Sequence, residues 1–216
     1  MESITERYML CALNDKGKIP ALSSEIPVCI VAGAVMDLAL AGCVAVDNKR
    51  LTVSSPLSGG LRHLTSIYDY IAEKEKIKLD KLASEYCFSF SGKRINRLID
   101  EIGMALSEAH SVTVEQGGLL GTKKHYIPDG KAVDSVVQTI RAELLEEGTM
   151  SDEAIALAGL FEKSGMLKKY FSSYEKKALK SRMEEIKNSP SHEIISEFMD
   201  YINTMIAVIA VTSMPK

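Results

Sequence analysis

The sequence AGAVMDLALAGCV occupies Ala32–Val44, and a short charged turn and a β-like run follow it, from Ala45 to Val53. A helix over this stretch has no polar face and carries a single acid, Asp37, so Ala32–Gly42 is expected to be inaccessible to solvent. Gly42 is placed to adopt the left-handed conformation that ends a helix. A helix buried on all sides needs a shell of other helices. The stretch therefore predicts the centre of a helical domain.

Two patterns predict β-hairpins, and most of the remaining chain predicts helices. The turn Asp47-Asn48-Lys49-Arg50 separates two apolar or β-branched runs, which predicts a first hairpin over residues 44–53. A second hairpin is predicted from Ser111 to Ile127, with a glycine-rich tip. Helical periodicity predicts helices near residues 3–14, 27–43, 61–75, 78–88, 92–109, 132–147, 151–163, 166–188 and 191–212. The predicted fold is mainly α: a single helical domain with a buried central helix, surrounding amphipathic helices and two short β-hairpins.

Composition limits the classes of function. The chain has 216 residues, of which 46% are apolar, and this amount of core material predicts one domain over residues 1–216. The net charge of -3 gives no reason to expect a nucleic-acid partner, so an anionic partner would need a local basic patch. The cysteines lie in apolar helical patterns without a C-x-x-C pair, which favours buried free thiols in a reducing, cytoplasmic compartment.

No pattern in the sequence supports catalysis, a cofactor or a metal site. The serine-hydrolase, zinc-protease, P-loop and dinucleotide motifs are absent, and the histidines lie far apart in the sequence. Cys87 lies between Tyr86 and Phe88, and these apolar neighbours predict a raised thiol pKa and an inert side chain. The apolar run 26–46 is long enough to cross a membrane, but Asp37 in its middle favours a buried core helix. We therefore expect a protein that is not an enzyme.

Asp37 has two interpretations. A lone carboxylate in a buried helix is costly unless it is paired, so it either serves as a ligand or catalytic acid, or it pairs with or caps a neighbouring helix. We favour the structural interpretation.

The basic cluster Lys93-Arg94-Ile95-Asn96-Arg97 is the best candidate for ligand binding. Ser91-Gly92 precedes it and predicts a helix start, where free N–H groups and the positive end of the helix dipole favour an anion. Arg94 and Arg97 are three residues apart and share one helical face. Arginine binds phosphate through two parallel hydrogen bonds, so the cluster predicts a phosphate site. The alternative is an ordinary solvated or ion-paired helix start.

Three segments occur in an order and spacing that match a known family. Residues 4–17 contain the apolar first helix and the Asp15-Lys16-Gly17 segment after it, residues 32–53 contain the core helix and hairpin, and residues 55–60 contain a turn around Pro56. Together they resemble the Golgi phosphoprotein 3-like family of peripheral phosphoinositide-binding proteins. The resemblance implies a non-catalytic, helical protein that binds a headgroup resembling phosphatidylinositol 4-phosphate. It assigns that binding to an arginine pair spaced R-x-x-R near the start of the matching helix, here Arg94 and Arg97, and Lys93 of the basic cluster lies beside them.

The chain departs from the family pattern at several headgroup contacts. An alignment on the apolar residues of the helix places Asn96 and Ile99 at the family's arginine positions, and a shift of two residues places Arg94 and Arg97 there instead. A third family arginine matches Val31, and the chain contains no tryptophan to match the one in the family's preceding loop. We therefore expect little preference for one phosphoinositide over other anionic lipids.

The tip of the second hairpin carries apolar and basic residues. Leu119 and Leu120 at a glycine-rich tip predict contact with a membrane or a second subunit, and Lys123 and Lys124 would attract anionic headgroups. The alternative is that the hairpin folds back onto its own domain. In the family, the corresponding hairpin makes oligomer contacts.

Two functions remain from different classes. The first is a cytoplasmic, peripheral membrane protein whose partners are an anionic phospholipid surface, further copies of itself and a client protein, with no nucleic acid. The alternative is a winged-helix-like DNA-binding regulator, because both hairpins follow helices. Asp37 in the helix before the first hairpin, and Asp100 and Glu101 in the helix before the second, disfavour that alternative.

Overall fold

The computed structural model describes residues 2–21, 23–89, 91–117, 123–145, 151–187, 198–204 and 206–207. This part of the chain is mainly α, as predicted. Its helices up to residue 187 are α1 (Ile4–Ala12), α2 (Glu25–Leu40), α3 (Thr65–Glu73), α4 (Leu79–Cys87), α5 (Lys93–Glu108), α6 (Gly130–Leu145), α7 (Asp152–Lys163), α8 (Leu167–Tyr170) and α9 (Ser173–Lys187), with a 3-10 helix over Gly59–Leu64. The strands are β1 (Val44–Asp47), β2 (Arg50–Val53), β3 (Ile77–Lys78), β4 (Val112–Gly117) and β5 (Lys123–Pro128).

Helix α2 lies at the centre of the fold. Residues 28–38 are all buried, and the helix packs against α1, α4, α7, the 3-10 helix and β1. The prediction of a core helix surrounded by other helices is confirmed. It is wrong for the last turn, where Leu40 is 39% exposed and Ala41 and Gly42 are exposed as well. The chain reaches the surface there, and Gly42 ends the helix with φ +68°, the left-handed conformation that was predicted.

Both predicted hairpins are present. In the first, β1 and β2 pair from Val44 opposite Val53 to Asp47 opposite Arg50. The two-residue strand β3 adds to the outer side of β2 and was not predicted. In the second hairpin, β4 and β5 pair up to Gly117 opposite Lys123. The tip of this hairpin, residues 118–122, lies outside the described residues.

The predicted helix over residues 166–188 is wrong as a single element. The chain leaves the helical conformation at Phe171, which is extended with φ −125° and ψ 137° and is buried. Ser172 then starts α9, because its Oγ accepts a hydrogen bond from the Glu175 N–H while the Glu175 carboxylate accepts one from the Ser172 N–H. Burial of the Phe171 ring and this reciprocal cap together break the helix.

The helix predicted over 191–212 is described only in part. Residues 198–204 and 206–207 are helical, and the rest of that range lies outside the described residues. Across the ranges given above, no helix combines the length and the apolar character that a membrane span requires.

Helix α5 presents the candidate site. It packs against α1, α3, α4 and the 3-10 helix. Its buried side carries Ile95, Leu98, Ile102 and Leu106, a spacing that turns the intervening charged residues toward solvent.

Candidate functional site

The start of α5 exposes the predicted basic residues. Gly92, with φ +58°, occupies the cap position and supplies no side chain to cap the first turn. Lys93, Arg94 and Arg97 are all exposed, whereas Ile95 between them is buried. The structure therefore brings these three cations to one helix end, where the helix dipole favours an anion.

Arg94 is held against the neighbouring helices. Its Nη1 lies 3.2 Å from Glu85 Oε2 on α4, and its guanidinium lies 4.7 Å from the centre of the Tyr70 ring on α3. Tyr70 is buried, and this burial raises the pKa of its hydroxyl. The side chain of Arg94 thus joins α3, α4 and α5 through an ion pair and a cation–π contact.

Arg97 pairs with a different acid. Its Nε lies 3.0 Å from Glu101 Oε1, one turn further along α5. The other oxygen of Glu101 accepts a hydrogen bond from the Ser66 N–H, in the first turn of α3, at 3.1 Å. Although Arg94 and Arg97 were predicted to act as a pair, each is engaged by its own carboxylate.

Two hollows flank these arginines. The smaller, of about 310 Å³, lies between α3 and α5, and both Arg94 and Arg97 line it together with Asp69 and Glu73. Its two acids equal its two cations in number, and Arg94 and Arg97 are each paired with a carboxylate.

The larger hollow is a groove of about 750 Å³ between the 3-10 helix and α5, here called the α5 groove. Lys93, Arg97 and Asn96 line its α5 side, and Arg62 and His63 line it from the 3-10 helix. Arg62 was not predicted from the sequence. The whole of α3 and α4 separates it from Lys93 along the chain, so only the packing of the 3-10 helix on α5 reveals their proximity.

The other positions matched to family arginines, namely Asn96 and Ile99 in the alternative alignment and Val31 in the core helix, differ in their access to solvent. Asn96 is exposed in the α5 groove, and Ile99 is half-buried. Val31 is completely buried inside α2, so a ligand on the surface cannot contact it.

Asp37 has a structural role. Its carboxylate accepts hydrogen bonds from the N–H groups of Ile4 and Thr5 and from the Thr5 hydroxyl, at 3.0, 2.9 and 2.5 Å respectively. These groups form the first turn of α1, so Asp37 caps a neighbouring helix, as the structural interpretation predicted. Burial raises the pKa of its carboxyl group, and the accepted hydrogen bonds oppose that rise.

The cysteines are free thiols in the fold. Burial raises the pKa values of Cys11, Cys29 and Cys87 to about 12. This confirms the prediction that the Cys87 thiol has a raised pKa.

At the second hairpin, the two predicted lysines are exposed. Lys123 and Lys124 lie at the start of β5, and Lys124 Nζ lies 3.4 Å from Met104 Sδ on α5. Leu119 and Leu120 lie outside the described residues, so their contact with a membrane or a second subunit stays a prediction.

The helix before the first hairpin also bears on the DNA-binding alternative. A winged-helix protein inserts the helix before its wing into the DNA groove. Here that helix is α2, and its interior residues 28–38 are buried. The helix before the second hairpin, α5, exposes the acids Asp100 and Glu108 in addition to its cations. Neither helix presents the continuous basic face that a DNA groove requires.

The fold and surface define a class: a helical protein with a buried central helix and three exposed cations at the start of one outer helix. The family model described as Golgi phosphoprotein 3 (GPP34) matches residues 4–202. The protein belongs to this family, and the resemblance drawn from its first third is confirmed. A search of curated proteins found no match.

Proposed function

We propose that this protein is a non-catalytic peripheral membrane protein that acts as one domain and binds anionic phospholipid headgroups through the start of α5. The single observation that carries the proposal is the exposure of Lys93, Arg94 and Arg97 together at a helix start whose cap residue is a glycine. Membership of the Golgi phosphoprotein 3 family supports the assignment to a membrane surface.

The acids beside the arginines do not prevent this binding. An exposed ion pair contributes about 0–1 kcal/mol, so displacing Glu85 or Glu101 costs little. A hydrogen bond between arginine and a phosphate contributes roughly 1.5–3 kcal/mol, which exceeds that cost. A headgroup can therefore replace the carboxylates, and binding should weaken as salt increases.

The lipid preference is expected to be broad. Val31 is buried, and the chain has no tryptophan, so two contacts that the family uses for its headgroup are missing. The remaining attraction is mainly one of charge. We propose that phosphatidylinositol 4-phosphate and phosphatidylserine bind with similar affinity at equal surface charge.

Flotation with vesicles tests the proposed function. Wild-type protein should float with vesicles of phosphatidylcholine and phosphatidylserine and stay behind with phosphatidylcholine alone. The triple variant K93A/R94A/R97A should lose binding to the acidic vesicles. A variant that removes exposed lysines from α6 and α9, K131A/K177A, serves as the charge control and should bind as the wild type does. Equal flotation of the triple variant and the wild type would refute the assignment.

We also propose that the second hairpin supports assembly, with Leu119, Leu120, Lys123 and Lys124 contacting the bilayer or another copy of the chain. The double change L119S/L120S should reduce flotation or self-association in sedimentation experiments while leaving the melting temperature nearly unchanged. A large fall in melting temperature would show instead that the tip packs on its own domain. A client protein is a further proposed partner.

A further inference from the structure

We propose that Arg62 belongs to the headgroup site and that the phosphate is bound in the α5 groove by Arg62, Lys93 and Arg97, while Arg94 has a structural role. This inference rests on the proposed function. It separates the cations that contact the phosphate from Arg94, which holds α3, α4 and α5 together.

The first support is the placement of the cations. The 3-10 helix packs directly on α5, and Arg62 lines the α5 groove opposite Lys93 and Arg97. Arg62 and Lys93 are both exposed. A phosphate in this groove would therefore meet cations from two separate elements, which fix its position better than one helix face does.

The second support is the availability of these charges. Within the described part of the chain, neither Arg62 nor Lys93 has a carboxylate oxygen within the 4.0 Å limit of an ion pair. Arg94, by contrast, is paired with Glu85 and stacked on Tyr70. A phosphate would have to break both contacts to use Arg94 fully. It would have to displace only the Glu101 carboxylate to use Arg97, and Arg62 and Lys93 have no ion pair to break.

The third support is the arrangement of the acids that line the α5 groove. Asp100 accepts a hydrogen bond from the Tyr126 hydroxyl at 3.1 Å, and both oxygens of Glu101 are engaged by Arg97 and the Ser66 N–H. Glu108 is at the opposite end of α5, roughly 22 Å from Lys93 at the rise of an α-helix. The cationic end of the groove thus coincides with the positive end of the helix dipole.

His63 lines the same groove, but its ring is engaged on the side of α1. Its side chain is buried, and its Nε2 lies 3.2 Å from Ser3 Oγ and 4.0 Å from the carboxylate of Glu6. These contacts direct the ring toward α1. The ligand chemistry that the groove fits is a phosphate group, either in a lipid headgroup or free in solution.

Single and double variants test the assignment with phosphatidylserine vesicles. Each exposed cation that lies near an anionic surface and has no ion-pair partner contributes about fivefold in affinity. R62A should therefore bind about fivefold more weakly and R62A/K93A roughly 25-fold more weakly than the wild type. R94A should bind within about twofold of the wild type but melt at a lower temperature. K131A/K177A again controls for lost charge.

The outcomes separate this inference from the proposed function. If K93A/R94A/R97A fails to bind while R62A binds like the wild type, the α5 groove is the wrong site and the lipid function stands. The same conclusion follows if folded R94A loses binding. If all these variants bind like the wild type, both proposals fail. Calorimetry with inorganic phosphate distinguishes a free phosphate from a lipid headgroup as the ligand. If the wild type binds phosphate but no vesicles, and R62A/K93A does not bind phosphate, the groove assignment is supported and the membrane role is overturned.

Discussion

The carboxylate of Asp37 accepts hydrogen bonds from both the N–H and the hydroxyl of Thr5, at 2.9 and 2.5 Å. Its other oxygen accepts the N–H of Ile4. An acid in the middle of an otherwise apolar, buried helix thus satisfies the N–H groups at the start of α1, which would otherwise be unpaired inside the protein. This pairing explains the acid without any role in chemistry.

Replacing Asp37 with Asn should lower the free energy of unfolding by about 1–3 kcal/mol. The amide keeps one acceptor oxygen but turns an N–H₂ group toward a backbone donor, which leaves a buried N–H unsatisfied. Urea unfolding measures the difference. Asp69→Asn, an exposed acid on α3, is the matched control and should change stability little. An unchanged unfolding free energy for Asp37→Asn would contradict the capping role.

The difference in unfolding free energy between the wild type and Asp37→Asn should depend on pH. Burial raises the pKa of Asp37 in the folded state above its ordinary value of 3.8, so the folded protein binds this proton more tightly than the unfolded chain does. The contribution of this group is therefore greatest below pH 3.8 and is lost as the pH rises through its folded pKa. Other carboxyl groups cancel in the comparison with Asp37→Asn. The stability advantage of the wild type over Asp37→Asn should grow as the pH falls through this window, and a shrinking advantage would show that the hydrogen bonds outweigh burial.

Leu38 and Leu40 test the burial of α2 at two neighbouring positions. Leu38 is fully buried and Leu40 is 39% exposed. Leu38→Ala should cost about 2–5 kcal/mol, whereas Leu40→Ala should cost about 0.5 kcal/mol. Denaturant unfolding of both variants checks the difference. Equal losses would mean that the last turn of α2 is covered in solution.

Much of the fold could be predicted because its signals are local. The absence of a polar face predicts the burial of α2, and Gly42 with the charged turn predicts its end and the first hairpin. Other features depend on distant residues. β3 has only two residues and exists because it pairs with β2. The exposure of Leu40 depends on where the surface lies, which helical periodicity cannot show.

The break before α9 had a local signal that was missed. Ser172 precedes Glu175 by three residues, which is the spacing of a capping box, but the apolar pattern continued across it. The tertiary factor lies at Phe171, which is buried and has an extended backbone.

The candidate site was predictable on one helix only. The alternation of Ile95 and Leu98 with charged residues predicts that Lys93, Arg94 and Arg97 face outward. The contacts of Arg94 with Glu85 and Tyr70 join separate helices, and Arg62 comes from an element that precedes α3. Because these contacts come from distant parts of the chain, the spacing of residues within α5 cannot show which of its cations is paired.

Gly103 should not tolerate a side chain. A Cβ atom at this position would lie 2.6 Å from the ring of Tyr126, which is buried and is held by a hydrogen bond from its hydroxyl to Asp100. Gly103→Ala should therefore cost about 1–3 kcal/mol through overpacking. Gly130→Ala, where a Cβ meets no atom within 4 Å, should be neutral or stabilising by up to about 1 kcal/mol. Thermal unfolding of both variants measures these effects. A Gly103→Ala variant as stable as the wild type would contradict the close packing of Tyr126 on Gly103.

The thiols should be nearly unreactive in the folded protein. Burial raises the pKa values of Cys11, Cys29 and Cys87 to about 12, which lowers their thiolate fraction at neutral pH about a thousandfold relative to a thiol of pKa 9. Iodoacetamide followed by mass spectrometry should find these cysteines unmodified in buffer and alkylated in urea. Cys87 is the critical case because it is only half-buried. Rapid alkylation of Cys87 in the folded protein, lost in Cys87→Ser, would show an activated thiol and would contradict the assignment of a non-catalytic protein.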